Sequence, residues 1–168
     1  IFHTHCHDDH FNGLTTLLQA DHRIQYCSTR LVRESVSKKL SALMSTKQDV
    51  LGQYFEIIDL EYEQWNEVEG LLVRPTHSPH PVETANYSFK VIAEGGYKVY
   101  SHLADMGSFE VLDRMKESNR AGAGVDHKFL AKVKQDYLTP ADIKKIDIGG
   151  GLIHGCAIDF AHDATKKI

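Results

Sequence analysis

The sequence predicts an α+β layered domain, on three observations. Short runs of β-forming residues alternate with amphipathic helical stretches, one pair of strands is joined by a glycine turn, and no internal repeat, low-complexity tract or linker interrupts the 168 residues. With 42% apolar and 25% charged residues, the chain can bury a sizeable core, which sets disordered and fibrous classes aside. No apolar run approaches the roughly 20 residues of a membrane-spanning helix, and no signal-peptide pattern opens the chain, so the cytoplasm is the expected compartment and no membrane is an expected partner. The sequence starts inside what reads as a strand. A single domain over residues 1–168, cut short at both ends, is therefore expected.

The elements follow in order. Residues 1–5 (IFHTH) read as the end of a buried strand, and residues 10–20 place Phe11, Leu14, Leu17 and Leu18 on one helical face. Residues 23–29 alternate as a strand, whereas Val32, Val36, Leu40, Leu43 and Met44 mark an amphipathic helix over 31–44. YFEIIDL and EGLLVRP read as two more strands. ANYSFKVIA and YKVYSHL, on either side of two glycines, form a hairpin signal. A helix capped by Ser108 follows, with Glu110 and Glu117 toward solvent, then helices over 126–138 and 139–146, the last from a Thr139 cap with Pro140 at its first position. Gly149 to Gly151 read as a turn rather than a phosphate cradle, and residues 164–168 as the start of another strand.

Charge and cysteine content narrow the function. A formal charge of −4 argues against long nucleic acids, which demand a concentrated basic surface. A small anionic substrate is compatible if metal ions supply positive charge locally. Cys6, Cys27 and Cys156 have no framework spacing, so no disulfide is expected.

The densest chemistry is HTHCHDDH, residues 3–10. Four imidazoles so close would repel one another when protonated, and they add nothing to a core. In an extended segment alternate side chains point the same way, so His5 and His7 can converge on one ion with Cys6 turned aside. Asp9 and His10, at the turn into the helix, are directed toward a second ion. The spacing suits two metals about 3.5–4 Å apart.

The run His5-Cys6-His7-Asp8-Asp9-His10 resembles the HxHxDH signature of the metallo-β-lactamase fold superfamily, in its usual context between a strand end and a helix start. The resemblance implies an αββα sandwich, with mixed sheets and helices on the outer faces, and two divalent cations, zinc foremost with iron or manganese open. It also implies further ligands: His80 ahead of Tyr87, preferred to His77; Asp105 bridging both ions, preferred to His102; and a last histidine beyond Ile168. His154 and Asp159 fall outside the general pattern, and His154 is retained as a catalytic candidate that would face the site. His22, His127 and His162 are assigned no role, and Trp65 with Glu61, Glu63 and Glu67 reads as a solvated loop.

Two such ions would lower the pKa of a shared water toward about 7, so hydroxide is the expected nucleophile. Asp9, as ligand and proton acceptor, would orient it. An aspartate rather than a cysteine at 105, and HPVETANYSF around His80, resemble the phosphodiesterase branch, so a cyclic nucleotide or another small phosphodiester is the expected substrate. The alternatives are a thioester or lactone hydrolase and a non-hydrolytic diiron oxygen-binding or redox module. The last is disfavoured because such members usually carry glutamate where His7 stands. A homodimer is left open.

Overall fold

The structure, a computed structural model, describes residues 1–47, 49–116 and 124–168. Its elements are α1 (Asp8–Leu17), β1 (Ile24–Thr29), α2 (Arg30–Leu43), α3 (Leu51–Tyr54), β2 (Phe55–Leu60), β3 (Asn66–Val68), β4 (Leu71–His77), β5 (Ala85–Ala93), β6 (Gly96–His102), α4 (Phe109–Arg114), α5 (His127–Tyr137) and β7 (Ile143–Lys145). The helices form where apolar residues recur at helical spacing. Phe11 and Leu14 are buried on α1, Val32, Val36 and Leu40 on α2, and Leu130, Val133 and Tyr137 on α5. On α2 the buried stripe ends a turn earlier than the sequence suggests, leaving Leu43 63% and Met44 40% exposed.

Two sheets result. β1 and β2 pair in parallel from Ile24↔Phe55 to Thr29↔Leu60, and Phe2 bridges Cys27 in parallel on the other side of β1. The entry segment is held there by Cys27 N–H to the Ile1 carbonyl at 2.7 Å and His3 N–H to the Cys27 carbonyl at 3.2 Å. The second sheet runs β3-β4-β5-β6-β7, antiparallel except for the β6–β7 pair. In its hairpin Ala93 pairs with Gly96, so the turn residues are Glu94 and Gly95, and Gly95 takes the positive φ of 81° that a side chain would resist.

α2 packs on β1 and β2, and α5 packs on β4. One core joins Phe11, Leu14, Val36 and Leu40 to Tyr26 and Phe55 of the first sheet and to Val73 and Tyr87 of the second. Another joins Leu103 and Met106, at the end of β6, to Leu112, Leu130, Val133, Tyr137 and Phe160. The layers are thus helix, sheet, sheet, helix, the first sheet parallel and the second mixed, matching the expected α+β class. Among the described residues no helix is long and apolar enough to cross a membrane.

Two expectations need correction. Residues 139–146 do not form a helix, because tertiary partners outweigh the local Thr-Pro start signal. Asp142 exchanges bonds with Val99, N–H to carbonyl at 2.9 Å and carboxylate from N–H at 2.9 Å, and this draws Ile143–Lys145 alongside β6 as β7. Lys144 turns inward to the Tyr137 carbonyl at 2.8 Å and to Asp163, a pairing that the sheet register permits. Residues 164–168 are not a strand. They run beside β7, held by Lys144 N–H to the Lys167 carbonyl at 2.9 Å and by Thr165 Oγ1, which accepts the Ala141 N–H at 3.1 Å. Glu117 lies outside the described residues.

Candidate metal centre

The motif is built where residues 1–4 leave the first sheet and α1 begins. The His7 carbonyl accepts the Phe11 N–H at 2.8 Å, which fixes the start of the helix, and Asp8 and Asp9 in its first turn favour the positive end of its dipole. Lys39 of α2 clamps the outer side, donating to the Cys6 carbonyl at 2.7 Å and to Asp8. Ala85 N–H to the Thr4 carbonyl at 3.0 Å, and the Tyr87 hydroxyl to the His3 carbonyl at 2.8 Å, tie the same segment to β5. Cys6 packs against the core, with no disulfide among the described cysteines.

Against this frame the strand ends deliver the remaining donors. His5, His7, His80 and Asp105 offer ligand atoms all within 4.8 Å of one another, and so do Asp9, His10 and Asp105. His5 Nε2 lies 3.7 Å and His80 Nε2 3.8 Å from one Asp105 oxygen, while His10 Nε2 lies 3.2 Å from the other and 3.5 Å from Asp9. His80 Nε2 is 3.0 Å from His7 Nδ1. The Asp105 carboxylate therefore belongs to both sets of donors.

Donors near 2.1 Å from a tetrahedral ion stand about 3.4 Å apart, so groups at these separations could share a cation. One orphaned atom agrees. His5 is fully buried with its Nδ1 held at 3.1 Å by the Thr4 hydroxyl, and its Nε2 has no hydrogen-bond partner. A buried polar atom without a partner is costly, and a cation would satisfy it. Burial, reinforced by the charges of His10, His80 and His7, pushes His5 down to about 3, so it is a neutral imidazole at neutral pH, as ligation requires. Burial, with His7 alongside, also pushes His80 down.

The other candidates are placed elsewhere. His77 stacks on Tyr62 with ring centroids 3.9 Å apart and meets Phe129 edge-on, outside both donor sets. His102 is bonded through Nδ1 to the Tyr100 hydroxyl at 3.0 Å, and burial pushes it down to about 4. Asp159 serves backbone N–H groups of Phe109 and Cys156.

His154 stands with Asp105 and Asp147 in a third group of donors, its ring centroid 6.5 Å from that of His80. Sequence reasoning missed Asp147. Its Oδ2 lies 2.9 Å from His154 Nδ1 and also accepts N–H bonds from Met106 and Gly155. Burial works to raise the Asp147 pKa, but those bonds and the Gly149 N–H outweigh it, so the carboxyl sits below its ordinary value and is ionised. The one available signal was the glycine-rich stretch between the pair. A Cβ at Gly149 would fall 2.6 Å from His154 Cγ, and one at Gly155 would fall 2.5 Å from the Asp147 carbonyl, so the bare backbone lets the loop close on the pair.

Fold and site together define a class: an αββα protein with a histidine and aspartate cluster, set at its strand ends, that could hold metal. No protein-family model matches the chain. A curated protein of Dictyostelium discoideum, the cAMP/cGMP-dependent 3′,5′-cAMP/cGMP phosphodiesterase B, is 23% identical over 98% of the chain, which spans 15% of that protein's length. Among solved structures, the chain is similar to the metallo-β-lactamase fold protein YhfI from Bacillus subtilis, with 14% identity, 85% of this chain, 46% of that one and a TM-score of 0.48. It is similar to a β-lactamase from Chitinophaga pinensis, with 12% identity, 84% of this chain, 54% of that one and a TM-score of 0.49. Human tRNase Z, short form, gives 20% identity, 88% of this chain, 56% of that one and a TM-score of 0.43.

Proposed function

We propose that this chain is the metal-binding part of a dinuclear hydrolase acting on a small phosphodiester such as a cyclic nucleotide. The observation that carries the reading is the Asp105 carboxylate facing His5 and His80 with one oxygen and His10 with the other, while His5 Nε2 lies buried without a partner. His5, His7, His80 and Asp105 would hold one ion, and Asp9, His10 and Asp105 the other. Imidazole and carboxylate donors suit zinc first, and iron or manganese as well. When bound, such a pair supplies Lewis acidity and a water that is acidic near neutral pH.

The chain's own residues supply the rest. Asp9, whose side chain is 72% exposed, can accept a proton from water and orient it. Asp147 accepts from His154 Nδ1, which fixes the ring and leaves Nε2 as the atom that can hand a proton to a leaving alkoxide. The similarity to a protein named as a cyclic nucleotide phosphodiesterase supports the choice of substrate class.

The test is turnover of cAMP, bis(p-nitrophenyl) phosphate and S-lactoylglutathione by zinc-loaded full-length protein, beside elemental analysis. About two ions per chain with phosphodiester turnover is the expected result. Turnover of the thioester alone would replace the substrate class, and the absence of bound metal would overturn the reading.

A further inference from the structure

The Asp105 carboxylate is common to both donor sets, so whatever fixes its main chain also fixes how the sets stand to each other. Three side chains from other parts of the chain do this. Asn86 of β5 accepts the Ala104 N–H at 2.8 Å, Ser78 donates its hydroxyl to the Asp105 carbonyl at 2.8 Å, and Asp147 accepts the Met106 N–H at 3.3 Å. The serine has one hydrogen and gives it to Asp105. The Tyr137 hydroxyl, 2.7 Å away, is therefore the donor to Ser78. Burial holds the Tyr137 phenol well above its ordinary value, so that proton stays in place.

Ser78, Asn86 and Tyr137 are all buried, where an unmet polar group is costly and the bonds are correspondingly selective. Ser78 is also two residues from His80, and the intervening Pro79 carbonyl accepts the Gly107 N–H at 3.2 Å. The loop that carries His80 and the loop that carries Asp105 are thus stapled together, and α5 holds the staple.

We infer that Tyr137 and Ser78 are positioning residues for the metal centre: the phenol on α5 orients Ser78, and Ser78 sets Asp105 and His80 at the spacing that binds metal. The inference rests on the metal-binding reading above. Partners behind metal ligands typically govern 10–100-fold in affinity, and that is the range expected here.

The experiment compares full-length wild type with Tyr137→Phe, Ser78→Ala, Ser78→Thr and Val133→Ala. It reads zinc affinity by competition with a chromophoric chelator and the visible absorption of the cobalt(II)-loaded protein. Tyr137→Phe and Ser78→Ala should bind zinc about 10–100-fold more weakly with shifted cobalt bands, and Ser78→Thr, which keeps the hydroxyl, should recover most of the affinity. Val133→Ala, buried on the same helix, should lower thermal stability while leaving affinity and spectrum alone. If Tyr137→Phe fails to fold, Ser78→Ala carries the comparison. The inference is overturned if the two variants bind as wild type does, or lose no more affinity than Val133→Ala at an equal loss of stability. Wild type without bound metal would overturn the proposed function itself, which separates the two failures.

Discussion

The pair of substitutions His80→Ala and His77→Ala tests the site most directly, because the two histidines stand three residues apart, His77 at the end of β4 and His80 in the proline-rich loop after it, and have opposite surroundings. The His80 side chain is fully buried, with Nε2 3.0 Å from His7 Nδ1 and 3.8 Å from Asp105. His77 faces Tyr62 and Phe129 instead. With free zinc held at 100 times the wild-type dissociation constant, binding adds about 2.7 kcal/mol to folding stability. A 100-fold weaker His80→Ala variant would keep only about 0.4 kcal/mol of that at the same free zinc, a loss of about 2 kcal/mol. His77→Ala should keep the full metal-dependent increment and lose about 0.5–1.5 kcal/mol with and without zinc, the value of an aromatic contact. Urea unfolding of both variants and wild type, with zinc buffered and with chelator, gives all the numbers. Metal-dependent stability that survives in His80→Ala and vanishes in His77→Ala would refute the geometric argument.

Three further outcomes are expected. Lys144 and Asp163 are a fully buried ion pair, so Lys144→Met should cost about 3–5 kcal/mol in urea unfolding, and an effect under about 1 kcal/mol would show that the carboxylate finds water or another partner. Burial pushes His3 down to about 4 while the unfolded chain titrates near 6.5; the folded state therefore binds fewer protons between those values, and about 3 kcal/mol present above pH 6.5 is lost as the pH falls to about 4. In metal-free protein His3→Phe should remove that share of the acid sensitivity, and an unchanged stability-versus-pH slope would count against it. Gly149→Ala places a methyl 2.6 Å from His154 Cγ and should push the ring off Asp147, with a rate loss of about 100-fold or more on alkyl phosphodiesters and little on p-nitrophenyl esters, whose leaving group needs no proton. Equal losses on both substrates would remove His154 from proton transfer.

What could be read in advance divides by how far apart the partners lie in the chain. His5, His7, Asp9 and His10 lie within six residues, and the change from an extended segment to α1 decides which way each points, so periodicity alone separates them into two directions. His80 and Asp105 needed the resemblance, because nothing local distinguishes them from His77 or His102. The second sheet does that, by pairing β4 with β5 and β5 with β6 so that both loops open at one end. Residues 139–146 carry a genuine helix-start signal that fails against bonds to Tyr137, Val99 and Asp163, the last two of them far away in sequence. Asp147 was illegible for the same reason: its value lies in the partners it meets after the loop closes.

That division bears on how the site would respond to change. The contiguous half is held by the first sheet and by Lys39, while the other half hangs from two loops whose relative position is set by Ser78, Asn86 and the Pro79–Gly107 bond. Damage to α1 packing should therefore weaken both donor sets together, since each draws on residues 5–10. Loss of the Tyr137 hydroxyl on α5 should act through Ser78 on Asp105 and His80, leaving the mutual geometry of Asp9 and His10 intact. Removing that hydroxyl, which lies in the second core, would thus disturb the centre without touching the motif that announces it, because the bonds through Ser78 fix the main chain of the very carboxylate that faces His5 and His10.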